Sequence, residues 1–467
     1  MEPSSPASRS GAQVGAVHVS EVPLARRAIR AKVMSLAGPA LVEMSLVTVG
    51  MMVNMIMVGR LGPWAIAAVG LSNQPIFFVM ALFMALNVGT TALVARFVGA
   101  KETTRASDAA RQTLLLTTGM GLVLGALLFI SAGPILRLMG ARPEVLAPGI
   151  PYFRIASIGL FFTAISMAMS AVLRGAGDMT TPMRVNVVAN VVNVAGNAVL
   201  IYGLLGFPRW GVAGAAVATA VARLLACIMT LMVVFSGKFV IRMSWRDRYR
   251  LDRDLVARIL RVGVPAAAEQ LVMRGGQLVF ARIVAALGTT IFAAHQIALN
   301  VESLSFMPGF AFAMASSTLV GQSLGAHRPE LAEECARETR RLGLLVMGAM
   351  GVVFFFFGRQ IVMLYTNDAQ VIAEGARVLR LIALAQPALA TNFILAGSLR
   401  GAGDTQWVLY ATFAGIWGVR IGLAYLLAIA AGWGLIGAWI AMAFDLTVRA
   451  VLIYGRFASG RWKEVRV

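Results

Sequence analysis

Charge is scarce in this chain, and so are the residue types on which compact soluble enzymes rely. Of 467 residues only 13% are charged, with 21 acidic against 41 basic side chains, three histidines and two cysteines. Soluble domains carry about 25% charged and about 45–50% apolar residues. This chain is 59% hydrophobic with a mean hydropathy of +0.79, which excludes a soluble globule. Cys227, in a span, and Cys335, in a connection, build no disulfide framework and no metal site. There is no zinc-binding His/Glu helix and no Walker phosphate loop, so neither a metallopeptidase nor ATP-driven pumping by this chain has support. Gly321-Gln322-Ser323-Leu324-Gly325 matches the hydrolase pattern G-x-S-x-G, but it ends an apolar helix, whereas a nucleophile elbow follows a strand. The expectation is a protein that is not an enzyme.

What the chain has is apolar runs of about 20 or more residues over nearly its whole length, the length a bilayer span needs. They are too long and too rich in Leu, Met, Ala and Gly for barrel strands, so an all-α integral membrane protein is expected. Run length and breakers place twelve transmembrane helices. Six lie roughly over 33–58, 65–97, 110–138, 148–173, 181–205 and 211–236, and six roughly over 256–284, 290–322, 338–365, 374–399, 406–431 and 435–455. Residues 1–32 read as a disordered cytoplasmic tail without a cleavable signal, 237–255 as a basic linker and hinge, and 456–467 as a second tail.

The net charge of +20 collects in the connections. Arg26, Arg27, Arg30 and Lys32 precede the first span, and Lys101, Arg105 and Arg111 follow the second. Lys238, Arg242, Arg246, Arg248, Arg250, Arg253 and Arg258 join the sixth to the seventh, and Arg456, Arg461, Lys463 and Arg466 end the chain. The opposite connections carry mainly Arg60, Arg142 and Arg209. Both termini are therefore expected on the cytoplasmic side, with the basic loops facing anionic lipid and no nucleic acid as partner.

One stretch occurs twice. Leu173-Arg174-Gly175-Ala176-Gly177-Asp178 returns as Leu399-Arg400-Gly401-Ala402-Gly403-Asp404, a shift of 399 − 173 = 226. The same shift carries Pro39 and Glu43 onto Pro265 and Glu269, Leu61-Gly62 onto Leu287-Gly288, and Gly99-Ala100 onto Gly325-Ala326. The chain is a tandem duplication: residues 33–236 and 256–455 form two six-helix bundles. An even number of spans per copy makes them parallel repeats about an axis along the membrane normal, a layout that permits alternating access.

Polar groups inside spans are costly unless they face a cavity or a partner. Glu43 lies in the first helix, its twin Glu269 in the seventh, and Glu302 in the eighth. Glu43 and Glu269 read either as proton- or sodium-coupling groups or as structural carboxylates, paired with a nearby arginine or capping a broken helix, and Glu302 is a further coupling candidate. Asn186, Asn190, Asn193 and Asn197 form one stripe on the fifth helix, either lining a wet cavity or joining helices. Asn54, Gln270, Arg274, Gln277, His295 and Asn300 are further cavity candidates, although a lone histidine is more often a packing residue. Arg174, Asp178, Arg400 and Asp404 read as pins of tight glycine turns, and Asp445 with Arg449 as an i,i+4 pair.

These residues resemble the multidrug and toxic compound extrusion (MATE) family of secondary transporters. The resemblance rests on Met57-Val58-Gly59-Arg60-Leu61-Gly62, the paired Leu-Arg-Gly-Ala-Gly-Asp loops, Gly263-Val264-Pro265 with Glu269, and Ala293-Ala294-His295-Gln296. It implies a V-shaped pair of bundles that exports organic, often cationic compounds in exchange for protons or sodium ions. No cofactor beyond a sodium ion, a cytoplasmic membrane location and a monomer follow from the same reading. Many relatives have an aspartate where this chain has Asn54, and some where it has Asn197, so the coupling role shifts to Glu269 and Glu43. Two alternatives remain: a flippase of lipid-linked precursors or polysaccharides, for which Arg274 speaks, and a non-transporting scaffold or receptor.

Overall fold

In a computed structural model of the chain, residues 26–237, 240–244, 246–247 and 250–465 are described. The tail over 1–25, together with Lys238, Arg248 and Arg466, lies outside the described residues.

Among the described residues, twelve long helices follow one another. They are α1 (Arg26–Gly59), α2 (Pro63–Gly99), α3 (Thr103–Ile130), α4 (Pro143–Gly175), α5 (Thr180–Tyr202) and α6 (Gly211–Phe235), then α7 (Arg253–Ala285), α8 (Thr289–Gly325), α9 (Pro329–Met363), α10 (Ala369–Ala402), α11 (Thr405–Ala430) and α12 (Gly434–Ala458). Eleven are long and apolar enough to cross a membrane by length and composition. The twelfth, α7, carries Arg258, Arg261, Glu269, Arg274 and Arg282.

Several ends differ from the sequence expectation for one reason. Charged first turns extend helices past their apolar runs, so α1 begins at Arg26 inside the expected tail, α3 at Thr103 and α9 at Pro329. Cys335 thereby sits buried in α9 and not in a connection. A separate short helix, Ala132–Leu138, ends what was expected as one span to 138.

The duplication is visible as an inter-bundle crossing with twofold character. Gly99 at the end of α2 lies against the Gln322 carbonyl of α8, and Gly325 at the end of α8 lies against the Arg96 carbonyl of α2. Adding 226 converts one contact into the other. A β-carbon at either glycine would collide with backbone, so this approach requires the missing side chain. The lower halves of the first helices are exchanged: Ile29 and Val33 of α1 pack with Phe312, Ala315 and Leu319 of the second bundle, and their twins Leu255 and Ile259 of α7 pack with Leu86 and Leu93 of the first. The expected clean division at 33–236 and 256–455 is thus crossed at the end that carries the basic connections.

Higher up, α1 leans on α5 and α7 on α11. Among the described residues, hydrogen bonds between the bundles lie at the basic end, apart from Ser45 Oγ to Met307 Sδ at 4.0 Å. The bundles are sealed at that end. The described residues of the linker are strapped to the first bundle: Ile241 and Met243 are buried, Gln112 of α3 donates to the Arg250 carbonyl and accepts from Asp252 N–H, and Arg111 pairs with Asp247 at 3.0 Å.

The two halves part company in α11. Trp210 N–H bonds to the Leu200 carbonyl and Trp433 N–H to the Leu427 carbonyl, both at 3.0 Å; the acceptors are shifted by 427 − 200 = 227, while the donors, beyond a shorter connection, are shifted by 433 − 210 = 223. One residue has been gained along α11, and the helix absorbs it in π-helical turns over Ala414–Arg420 and Tyr425–Ala430. Single insertions into helices commonly take this form.

Candidate functional site

The twin acids and the twin loops turn out to be one device. Arg174, at the end of α4, reaches back to Glu43, with Nη1 3.5 Å from Oε1, and Asn186 Nδ2 donates to the same oxygen at 2.9 Å. In the second half Arg400 Nη2 donates to Glu269 Oε1 at 2.5 Å, and Thr412 Oγ1 lies 3.5 Å away. Thr412 is the 226-shifted counterpart of Asn186. Both carboxylates are 4% exposed, and a buried carboxylate with its partner removed is strongly destabilising.

The pairs differ in two respects. Glu43 Oε2 is buried and has no hydrogen-bond partner. Arg174 also belongs to the inter-bundle seal, because its carbonyl accepts from Thr318 Oγ1 at 3.0 Å and the Gly175 carbonyl accepts from Gln322 Nε2 at 3.0 Å. The loop aspartates diverge too. Asp178 accepts from the N–H groups of Thr180 and Thr181, capping α5, while Asp404 pairs with Arg456 of α12 at 2.7 Å.

The asparagine stripe serves both readings. Asn186 belongs to the Glu43 pair. Asn197 is fully buried, and its Nδ2 donates to Asn54 Oδ1 at 3.2 Å and to Asn193 Oδ1 at 3.3 Å, joining α5 to α1. Asn54, Asn190 and Asn193 line a cavity of about 50 Å³ with Thr219 and Arg223 of α6.

The remaining candidates lie elsewhere. His295 is 1% exposed, accepts from Trp439 Nε1 at 3.1 Å and packs edge-on against Phe280, so the packing reading holds. Arg274, Gln277 and Asn300 are exposed and Gln270 half-buried on α7 and α8, and none lines the asparagine cavity. Glu302 is 2% exposed with Oε2 unpartnered, within the electrostatic reach of Arg420 and Arg449. Asp445 does pair with Arg449, at 2.9 Å, and Arg420 completes the group at 2.7 Å.

Sequence reasoning missed Arg223 and Arg420. The signal was present in both cases: an arginine well inside an apolar run, where the connections offer no explanation for it.

A family model described as MatE matches the chain twice, over residues 39–199 and 265–426. Its starts differ by 265 − 39 = 226 and its ends by 426 − 199 = 227, the same shift and the same gain of one residue. A probable multidrug resistance protein NorM of Thermotoga maritima is 33% identical over 443 residues, spanning 93% of this chain and 94% of that protein. The multidrug resistance protein PmpM of Pseudomonas aeruginosa is 29% identical over 463 residues, spanning 95% of each. A solved structure, described as the outward-facing conformation of a multidrug resistance MATE family transporter of the MOP superfamily, aligns with a TM-score of 0.84. It is 26% identical, and the alignment covers 94% of this chain and 97% of that one.

Proposed function

Since this chain belongs to the MatE family, matched over both of its halves, and is therefore a multi-pass membrane transporter, we propose that it exports amphipathic organic compounds by alternating access in exchange for protons or sodium ions. The names of its relatives, multidrug resistance proteins, support export as the direction. On this reading the basic connections and both termini face the cytoplasm. The location is the cytoplasmic membrane, one chain is sufficient, and the coupling ion is the only inorganic partner.

The observation that carries the reading is the twin carboxylate–arginine pair, of which one member is wired into the seal. With the basic end inside, a closed basic end is the outward-facing state. A proton or sodium ion taken up at the free Glu43 Oε2 competes with Arg174 for the carboxylate. Once released, Arg174 loosens the loop whose carbonyls hold Thr318 and Gln322, and the seal can part toward the cytoplasm. Such a ligand shifts the equilibrium only by its differential affinity for the two states, and neutralising a carboxylate that is paired in only one of them supplies that difference. Glu269, held closely by Arg400, acts on this reading as the fixed counterpart, and Glu302 is the third acid to be tested.

Efflux of a fluorescent dye from everted vesicles, under an imposed proton gradient and separately an imposed sodium gradient, tests this. Wild type is expected to transport under one gradient, E43Q to lose the gradient dependence, and E269Q to keep it. Unchanged gradient dependence in E43Q with loss in E302Q would move the coupling site to the second bundle. The flippase reading is favoured by a different residue from the one first considered: Arg223 makes the cavity of the first bundle cationic, whereas Arg274 is exposed.

A further inference from the structure

α6 is a 25-residue apolar span with a single charge in it, Arg223, at its centre. Twelve residues separate it from either end, which is about 18 Å of helix at 1.5 Å per residue. That is more than an arginine can bridge by snorkelling to the membrane surface. Its neighbours Val221 and Leu224 are exposed, whereas Arg223 is half-buried and lines the cavity between α1, α5 and α6. No carboxylate lines that cavity, and among the described residues Arg223 forms no ion pair, the acid of the same bundle's first helix, Glu43, being paired with Arg174. A guanidinium at this depth without a partner is strongly unfavourable, and intramembrane charges held this way mark ligand pathways.

The polar groups around it have been sorted by the helix contacts. The Asn54 and Asn193 oxygens are both engaged by Asn197 Nδ2, which leaves the Asn54 amide hydrogens as donors. Thr219 Oγ1 accepts from Asn193 Nδ2 at 3.0 Å, which frees its own hydroxyl hydrogen to donate. Asn190 turns its oxygen toward α1 at Gly50, where a side chain would collide with it. Asn54 and Asn193 thus turn their oxygens to the helix contacts and Asn190 Oδ1 faces Gly50 in the cavity lining, while the Asn54 amide hydrogens, the Thr219 hydroxyl hydrogen and the Arg223 cation are left as donors for the cavity.

We propose that this cavity is an oxyanion subsite, in which Arg223 holds the carboxylate, sulfonate or phosphate group of an amphipathic substrate. The donors suit an oxyanion, as a guanidinium fork beside amide and hydroxyl donors matches its geometry. A cationic headgroup would meet the like charge of Arg223. The inference deepens the transport reading by naming the charge of the substrate, and its binding arm stands independently of that reading.

The test uses the purified full-length protein and two dyes with the same xanthene body, anionic carboxyfluorescein and cationic rhodamine 123, titrated by fluorescence anisotropy. Wild type is expected to bind carboxyfluorescein at least about tenfold more tightly than rhodamine 123, a difference of about 1.4 kcal/mol. R223Q should lose that preference, while R223K, which keeps the charge, should retain most of it. T219D, which supplies an internal carboxylate four residues before Arg223, should lose it without removing the arginine. Phosphatidylglycerol added to the micelles competes with the anionic dye if the oxyanion arrives on a lipid, and fails to compete if it arrives on a soluble compound; either result leaves the subsite in place. Equal carboxyfluorescein binding by wild type and R223Q, or tighter binding of rhodamine 123 by wild type, overturns the proposal. Arg223-dependent binding without vesicle transport of either dye would sink the exporter reading alone. Export of rhodamine 123 with no carboxyfluorescein binding would sink the subsite alone.

Discussion

The two bundles began as copies, and they now deal with intramembrane charge in opposite ways. The second bundle neutralises its buried arginines: Arg420 and Arg449 share Asp445, and Glu302 lies beside them. The first bundle has one arginine on its sixth helix and no acid in the cavity that this arginine lines, whereas Arg449 of α12 has Asp445 one turn away on its own helix. What both kept is the acid–arginine pair that ties the first helix of each bundle to the loop after its fourth. Among the described residues, only in the first bundle does that arginine's loop also hydrogen-bond to the other bundle. The difference suggests a division of labour, in which the second bundle is a stiff counterpart and the first both senses and binds.

The largest effect should come from breaking the balance of the second bundle. D445A leaves Arg420 and Arg449 buried without a partner and should destabilise the protein by about 3–5 kcal/mol. A fall in thermal unfolding temperature of the purified protein would show it, whereas an unchanged midpoint would mean that Glu302 replaces Asp445. Next comes the crossing itself. G325A places a β-carbon against the Arg96 carbonyl and should displace the seal. Faster labelling of a cysteine at Ser317 in intact inverted membranes checks this, and unchanged protection would show that the seal does not depend on this approach.

A smaller change is expected from Q322L. It removes one hydrogen bond to the Gly175 carbonyl and should weaken the closed state by about 1 kcal/mol, visible as a modest rise in the same labelling rate. The smallest effect separates the two loop aspartates. D178A removes a helix cap, worth about 1 kcal/mol of stability, and should leave the seal intact. A large transport defect in D178A would break the comparison by giving that loop a second role.

Much of this was legible without coordinates, because duplication leaves a constant shift that any pair of matching residues can test. The 226-residue offset locates both acids, both loops and Gly99 with Gly325. It cannot tell that Arg174 and Arg400 point back into the bundles toward Glu43 and Glu269, since a helix end and a mid-helix acid 131 residues apart meet only through packing. The exchange of the lower halves of α1 and α7 was invisible for the same reason: Ile29 and Leu255 read as apolar residues with no named partner. Helix ends failed where charged turns continue a helix beyond its apolar run, as at Arg26 and Pro329. Arg223 has no acid beside it on its own helix to mark it, although its place in the centre of an apolar run was plain in the sequence.

The central claim is that Glu43, through Arg174, reports ion occupancy to the seal, and that Glu269 does not. The direct measurement is the distance between spin labels at the twin exposed positions Lys101 and His327, which follow α2 and α8. Double electron–electron resonance would read it in a background with Cys227 and Cys335 replaced by alanine, at high and low pH and with and without sodium. Proton or sodium uptake should widen the distance in wild type and in E269Q, while E43Q should sit at the wide value under every condition. An E43Q protein that responds as wild type does, or a response lost in E269Q alone, would contradict the account.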